Sequence, residues 1–293
     1  MLIGIFSVNS GGASQRRLEI RESAMLSGST ALGVDARFVL QCHDNTTRHE
    51  QRRYGDLMVL GMLDEKSVGH ITYAKVDAFF RRALQRRARY KWYAKCDDDT
   101  YVVIPQLHRE LMLIGPNVSD GYYGVHCGSF ERDEDAVLRW FMCGAFYALS
   151  ADVAAKVVRE PLGQRGVVGS KSQRFPAWAM ESNEDRHMRE RLRSLRTGRN
   201  AWSCGFHHCH DAPGTGNLHL HQRPLSGETV FVHQVKHPKL FARVAGYFAA
   251  HAEAIQVLAA QRDGPRPWAA KLGHPPAEPD VTLSDFFRPY CAW

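Results

Sequence analysis

Lys91-Trp-Tyr-Ala-Lys-Cys-Asp-Asp-Asp-Thr-Tyr-Val102 decides the fold, because an aromatic run passes directly into three consecutive carboxylates. Trp92, Tyr93, Cys96, Tyr101 and Val102 suit extended structure, whereas adjacent aspartates suit the loop just beyond a strand end. In an open α/β sheet that position faces the ligand crevice. Asp97, Asp98 and Asp99 repel one another unless something neutralises them, and a hard divalent cation bound through oxygen is the common remedy. A solvated acidic turn is the plainer alternative; a triplet set directly behind an aromatic strand favours the metal.

Upstream, Leu2-Ile-Gly-Ile-Phe-Ser-Val8 is a near-continuous apolar run of strand length, the kind covered on both faces. Asn9 to Ser14 breaks it, with Ser14 the expected N-cap of a helix holding Arg16, Arg17, Ile20 and Arg21. Neither the GxGxxG nor the Walker spacing is present, so this is a turn with nearby arginines and not a dinucleotide fingerprint. Asp35–Gln41 and Asp56–Leu60 read as second and third strands, with a polar surface segment, His43 to Arg53, between them. From Ile71 to Leu84, Val76, Phe79, Phe80, Ala83 and Leu84 recur at helical spacing. The arginines that follow, Arg86, Arg87 and Arg89, fit a solvated helix end better than a nucleic-acid stripe. Alternating strands and helices ending at the acidic tip predict an α/β, doubly wound, Rossmann-like sheet with residues 1–103 as its nucleotide-binding half.

Downstream, Gly121–Val125 and Trp140–Leu149 read as strands, and Ser150 caps a helix through Arg159. Residues 161–180 are a Gly-rich loop, and Glu181-Ser-Asn-Glu-Asp185 introduces an arginine-rich helix to about Leu195. Trp202 to Pro224 holds His207, His208, His210, His219 and His221 with Cys204 and Cys209. That spacing fits no standard zinc finger, so a polar loop or a local disulfide stands beside zinc as its reading. Thr229–Val235 is a last strand, Pro238 opens a helix of about twenty-five residues, and a Pro-rich tail occupies 263–293. Residues 1–262 are thus expected to form one catalytic domain, with 104–262 its acceptor-side half.

The 293-residue chain is 44% hydrophobic and carries a net charge of +7, which suits a folded protein with an anionic partner: a nucleotide-sugar phosphate, an acidic glycan or a nucleic acid. It has no apolar run of about twenty residues, so a membrane tie is expected only through an N-terminal anchor missing ahead of Met1. Seven cysteines leave at least one free or paired between chains. Asn45-Thr-Thr and Asn117-Val-Ser are N-glycosylation sequons.

Six blocks, in order, resemble the inverting β1,3-glycosyltransferases, the family of β1,3-galactosyltransferases and β1,3-N-acetylglucosaminyltransferases with Fringe as a more distant member. They are Arg16-Arg-Leu-Glu-Ile-Arg-Glu-Ser23, Glu50…Tyr54-Gly-Asp-Leu57 with Ile71-Thr…Lys75, Lys91–Val102, Cys143–Ser150, Glu184-Asp185, and Val232-His-Gln-Val-Lys-His-Pro238. Ala24 stands where the family has Trp, Ala145 and Phe146 where it has Gly, and Arg186 where it has Val. The resemblance implies a GT-A fold, a UDP-sugar donor, a Mn²⁺ cofactor, a glycan or glycoprotein acceptor and a luminal Golgi location. It maps the metal ligands to Asp99 and His233, nucleotide contacts to Asp97, Asp98, Asp56, Lys75, Arg17 and Arg21, and the catalytic base to Asp185. Phe146 is expected to narrow a stretch that lines the sugar.

Chemistry agrees with that assignment. Charge building on a departing diphosphate calls for a cation held by carboxylate and imidazole, and inversion calls for a base on the opposite face of the sugar. Two alternatives are a related domain that binds nucleotide or glycan without transferring, and a metal-dependent phosphoryl-transfer enzyme or nuclease. The latter leaves the Arg16–Arg21, Tyr147–Ser150 and Val232–His233 blocks unexplained, so nucleic acid is not the expected partner.

Overall fold

A computed structural model of the chain describes residues 1–42, 44–61, 73–86, 90–115, 117–127, 141–159, 184–204, 209–212 and 225–261. Strands β1 (Leu2–Phe6), β2 (Asp35–Leu40), β3 (Leu57–Val59) and β4 (Trp92–Asp97) alternate with helices α1 (Gly11–Glu22), α2 (Asn45–Tyr54) and α3 (Tyr73–Leu84). There follow β5 (Tyr101–Val102), α4 (Ile104–Ile114), β6 (Gly121–Cys127), β7 (Phe141–Ser150), α5 (Ala151–Arg159), α6 (Glu184–Ser194) and β8 (Asn200–Ser203). The last elements are β9 (Cys209–Asp211), β10 (Phe231–His233), α7 (Pro238–Ala250) and α8 (Ala252–Gln261).

Seven strands form one sheet in the order β3-β2-β1-β4-β7-β6-β8. Its β3-β2-β1-β4 half is parallel throughout, and β7 runs against both of its neighbours. This is the mixed, Rossmann-like α/β sheet flanked by helices that was expected for a GT-A type domain. The order reverses direction between β1, which returns to β2, and β4, which leads away; such a switch point opens a crevice at the carboxyl ends of the strands.

Alternation along β1 explains the two cores. Ile3 and Ile5 point into one cluster with Phe38, Leu40 and Phe231, and Leu2 and Phe6 into the other with Val76, Phe79 and Phe80. Gly4 has to be glycine, because a Cβ there would stand 2.5 Å from the Phe79 ring. Helix α3 therefore lies close on the sheet directly behind the acidic tip.

Several expectations are corrected. Helix α1 starts at Gly11 with Ser10 as its N-cap, not Ser14, because the Ser10 side chain takes the Ala13 N–H. The polar segment after His43 is helix α2, closed by a reciprocal Asp44–Thr47 capping box and ended by Gly55 in the left-handed region. The helix from Pro238 divides at His251, whose Nδ1–H donates to the Tyr247 carbonyl at 2.7 Å while its ring stacks on Tyr247. Strand β10 joins a separate three-stranded sheet, β5-β10-β9. Residues 161–180 and the tail 263–293 lie outside the described residues. Among the described residues no helix is long and apolar enough to cross a membrane.

Helix α2 also supplies Glu50, which locks α1 to the sheet. Arg17 Nε and Nη2 donate to Glu50 at 2.8 and 2.7 Å, and Arg21 pairs with Glu50 at 2.7 Å and with Asp56 at 2.7 and 2.8 Å. Burial pushes the Glu50 carboxyl up, but the hydrogen bonds and charges of Arg17 and Arg21 outweigh it, so its pKa lies below the ordinary value. A carboxylate with a depressed folded pKa stabilises the fold above the unfolded pKa, and that stabilisation is lost as pH falls through the folded value. Glu50→Gln is expected to cost about 3 kcal/mol near neutral pH. It should also flatten the acid limb of a urea-stability profile relative to the parent, and equal profiles would show that the pair contributes nothing.

Candidate metal centre

Strand β4 is the sheet position from which the acids emerge, Asp97 pairing in register with Phe6 of β1. The chain turns over Asp98 and Asp99, Thr100 N closing onto the Asp97 carbonyl at 3.2 Å, and re-enters as β5. Strand β10 lies antiparallel on β5, and Val235 N reaches the Asp99 carbonyl at 2.9 Å. That pairing delivers His233, distant in sequence, to the acids. One ligand atom each from Asp97, Asp99 and His233 lie within 4.8 Å of one another, with His233 Nε2 3.6 Å from Asp99 Oδ1. Two carboxylate oxygens and one imidazole nitrogen form a donor set that suits Mn²⁺ and related divalent ions.

Burial and the crowding of like charges dominate the electrostatics of the cluster. Burial raises the Asp97 carboxyl to about 6 despite the Lys95 ammonium, with Asp99 adding to the rise. Burial alone would lower His233, but the hydrogen bond to Asp211 and the charge of Asp99 carry it above its ordinary value. Asp211 sits wholly buried on β9, opposite His233 in the parallel β9–β10 register, and its Oδ1 lies 2.8 Å from His233 Nδ1. Lys236, mostly exposed, stands 3.7 Å from Asp99 Oδ2.

A second group of charges adjoins the first through Lys95. This buried ammonium lies 2.7 Å from Asp97 Oδ1 and 2.8 Å from Glu184 Oε1, and donates as well to the Gly144 carbonyl. Gly144 N in turn donates to Asp185 Oδ2 at 3.2 Å, and Tyr147 Oη donates to Glu184 Oε2 at 3.0 Å. Burial pushes the Glu184 carboxyl up to about 7 against the pull of Lys95, with Asp185 adding to the rise. Asp185 is half-buried in the first turn of α6. Asp185, the expected base, is therefore connected to the acid cluster through Lys95 and the backbone of Gly144.

Asp98 faces the other way. It accepts from Ser7 Oγ at 2.7 Å and from Arg16 Nε at 3.2 Å. Arg17 Nη1 donates to the same Ser7 hydroxyl, and Lys75 Nζ donates to the Ser7 carbonyl at 3.1 Å. Burial lowers Lys75 to about 8, partly offset by Asp98. Lys75 and Arg17 thus gather at the carboxyl end of β1 beside Asp98, although Arg17 is 1% exposed and reaches the acid only through Ser7. The structure does not bring Asp56 and Arg21 to the acids: Asp56 precedes β3, three strands from β4, roughly 14 Å across the sheet.

Cys204 and Cys209 are joined in a disulfide, the local bridge weighed above, which removes both sulfurs from any zinc site. His207, His208, His219 and His221 lie outside the described residues, as does the side chain of Arg186. Cys42 and Cys96 are free thiols. The Phe146 ring is buried in the core against Phe231, at 5.7 Å between centroids, and so does not narrow an open cleft. Sequence reasoning missed Lys95, Asp211, Arg16 and Ser7. A lysine two positions before the acid triplet, inside an otherwise apolar strand, was a legible signal for the first; Asp211 was hidden in a histidine-rich run that read as zinc, loop or local disulfide.

Fold and site together define an α/β domain with an acid–imidazole cluster, able to hold a metal ion, at the carboxyl end of its sheet. The sequence matches no protein-family model and no curated protein. Among solved structures, a glycosyltransferase involved in the glycosylation of the major capsid of PBCV-1 is similar over 84% of this chain and 100% of that one, at 10% identity and a TM-score of 0.44. HddC from Yersinia pseudotuberculosis is similar over 55% of this chain and 80% of that one, at 14% identity and a TM-score of 0.31.

Proposed function

We propose that the protein is a metal-dependent, inverting glycosyltransferase that moves a hexose, galactose or an N-acetylhexosamine, from a UDP-sugar to a glycan hydroxyl in β1,3 linkage. The observation that carries this reading is the cluster of Asp97, Asp99 and His233, connected to Asp185 through Lys95 and Gly144. Asp97, Asp99 and His233 would hold Mn²⁺, which when bound supplies positive charge for the departing diphosphate. Lys236, exposed beside Asp99, adds a second cation at the mouth. Asp98, with Arg16 and Lys75 around it, lines the nucleotide side. Asp185, steadied by the Gly144 N–H, takes the proton of the acceptor hydroxyl as that oxygen attacks C1 of the sugar from the face away from the diphosphate. A disulfide and two sequons support a luminal, oxidising location such as the Golgi.

Binding tests the reading before chemistry does. In Mn²⁺, UDP or its cognate UDP-sugar is expected to stabilise the protein by about 2–4 kcal/mol at 100 to 1,000 times its Kd. A thermal-shift panel of UDP-Gal, UDP-GlcNAc, UDP-GalNAc and UDP-Glc, with and without Mn²⁺, measures this and ranks the donors. Asp99→Ala should abolish the Mn²⁺-dependent shift while leaving the metal-free melting temperature within a few degrees. UDP stabilisation of equal size without divalent metal, or in Asp99→Ala, would overturn the metal-dependent reading.

A further inference from the structure

We infer that Asp211 is a positioning residue for the metal centre: it holds His233 with the proton on Nδ1, so that the Nε2 lone pair faces Asp97 and Asp99. The inference rests on the metal site proposed above and deepens it.

A neutral imidazole carries one N–H, and the partner of one ring nitrogen decides which nitrogen keeps the proton. A carboxylate only accepts, so the 2.8 Å contact between Asp211 Oδ1 and His233 Nδ1 places the proton there. Nε2 is then the nitrogen left to a metal, and it lies 3.6 Å from Asp99 Oδ1. The backbone fixes this arrangement as firmly as the side chains do. Asp211 and His233 are register partners across β9 and β10, and Ala212 N donates to the His233 carbonyl at 2.8 Å. Cys209, at the start of the same short strand, is tied to Cys204, the residue just after β8. Asp211 itself is 0% exposed. Apolar side chains would satisfy a three-residue buried strand at lower cost than a carboxylate, which needs strong hydrogen bonds to be tolerated there. A carboxylate behind a metal-binding imidazole sets ring orientation and raises ligand basicity, and its loss usually weakens metal binding 10- to 100-fold.

The test measures Mn²⁺ affinity without nucleotide, by electron paramagnetic resonance of the free ion, in the full chain with its disulfide intact. Asp211→Ala is expected to weaken binding roughly 10- to 100-fold, and Asp211→Asn, which keeps an acceptor without the charge, by less. In a His233→Ala background, Asp211→Ala should add less than about threefold, because the ring it positions is gone. Wild-type affinity in Asp211→Ala, or an equal loss in both backgrounds, overturns the inference while leaving the metal site standing. If Asp211→Ala does not fold, Asp211→Asn in the two backgrounds decides by the same comparison. A wild-type chain without measurable Mn²⁺ affinity overturns the proposed function together with the inference.

Discussion

Replacing Asp185 with asparagine is expected to lower kcat for sugar transfer by roughly 10²- to 10⁴-fold, the range that a positioned general base contributes. The substitution is nearly isosteric, and the asparagine carbonyl can still accept from Gly144 N, the contact made at 3.2 Å by Asp185 Oδ2. What disappears is the capacity to take a proton. Donor binding, read as the UDP-sugar thermal shift in Mn²⁺, should stay within about threefold of the parent, because the proposed metal ligands lie at the end of β4, in the turn after it and on β10, and Asp185 on α6. That split separates a base from a residue that shapes the crevice. Wild-type turnover with the same acceptor would remove Asp185 from the mechanism. Loss of donor binding in parallel with kcat would make it structural.

The largest effect on stability belongs to Lys95. Its ammonium is the buried cation between Asp97 and Glu184, with side-chain exposures of 2% for the lysine and 3% for the glutamate. Lys95→Met removes the charge but keeps most of the aliphatic volume, leaving two buried acids to repel each other. Breaking a buried pair from one side costs about 3–5 kcal/mol, and each kcal/mol moves the midpoint by roughly 2–4 °C in a chain of this size. A drop on the order of 10 °C in melting temperature is expected, together with loss of transfer. Adding Glu184→Gln should restore part of the stability, since one of the stranded charges is then gone, without restoring activity. A single variant melting within about 2 °C of the parent would show that the acids are neutralised by some other means.

The legible part of the molecule was the part built from contiguous signals. The apolar run at Leu2–Phe6, the aromatic strand at Trp92–Asp97 and the helical spacing of Val76, Phe79 and Phe80 each announce an element on their own. Their alternation is enough to predict a doubly wound sheet with acids at its tip. The missed helix α2 has almost no apolar face; it is specified by a cap at each end and by Glu50 turning inward to two arginines, a pattern that shows only once the partners are in place. The same holds at the site. The triplet and His233 carry their chemistry in their residue types, whereas Asp211 gains its meaning from a strand pairing and Lys95 from the acid that approaches it from α6. Arg21 and Asp56 show the same dependence on partners: their pairing with each other appears only in the fold.

Gly144 carries a consequence of a different kind. A methyl group there would stand 3.0 Å from Glu184 Oε1 and 3.3 Å from Lys95 Nζ, so the smallest enlargement of this residue would press on both members of that buried ion pair. A side chain at this position could be seated only by moving the Glu184 carboxylate or the Lys95 ammonium by a few tenths of an ångström.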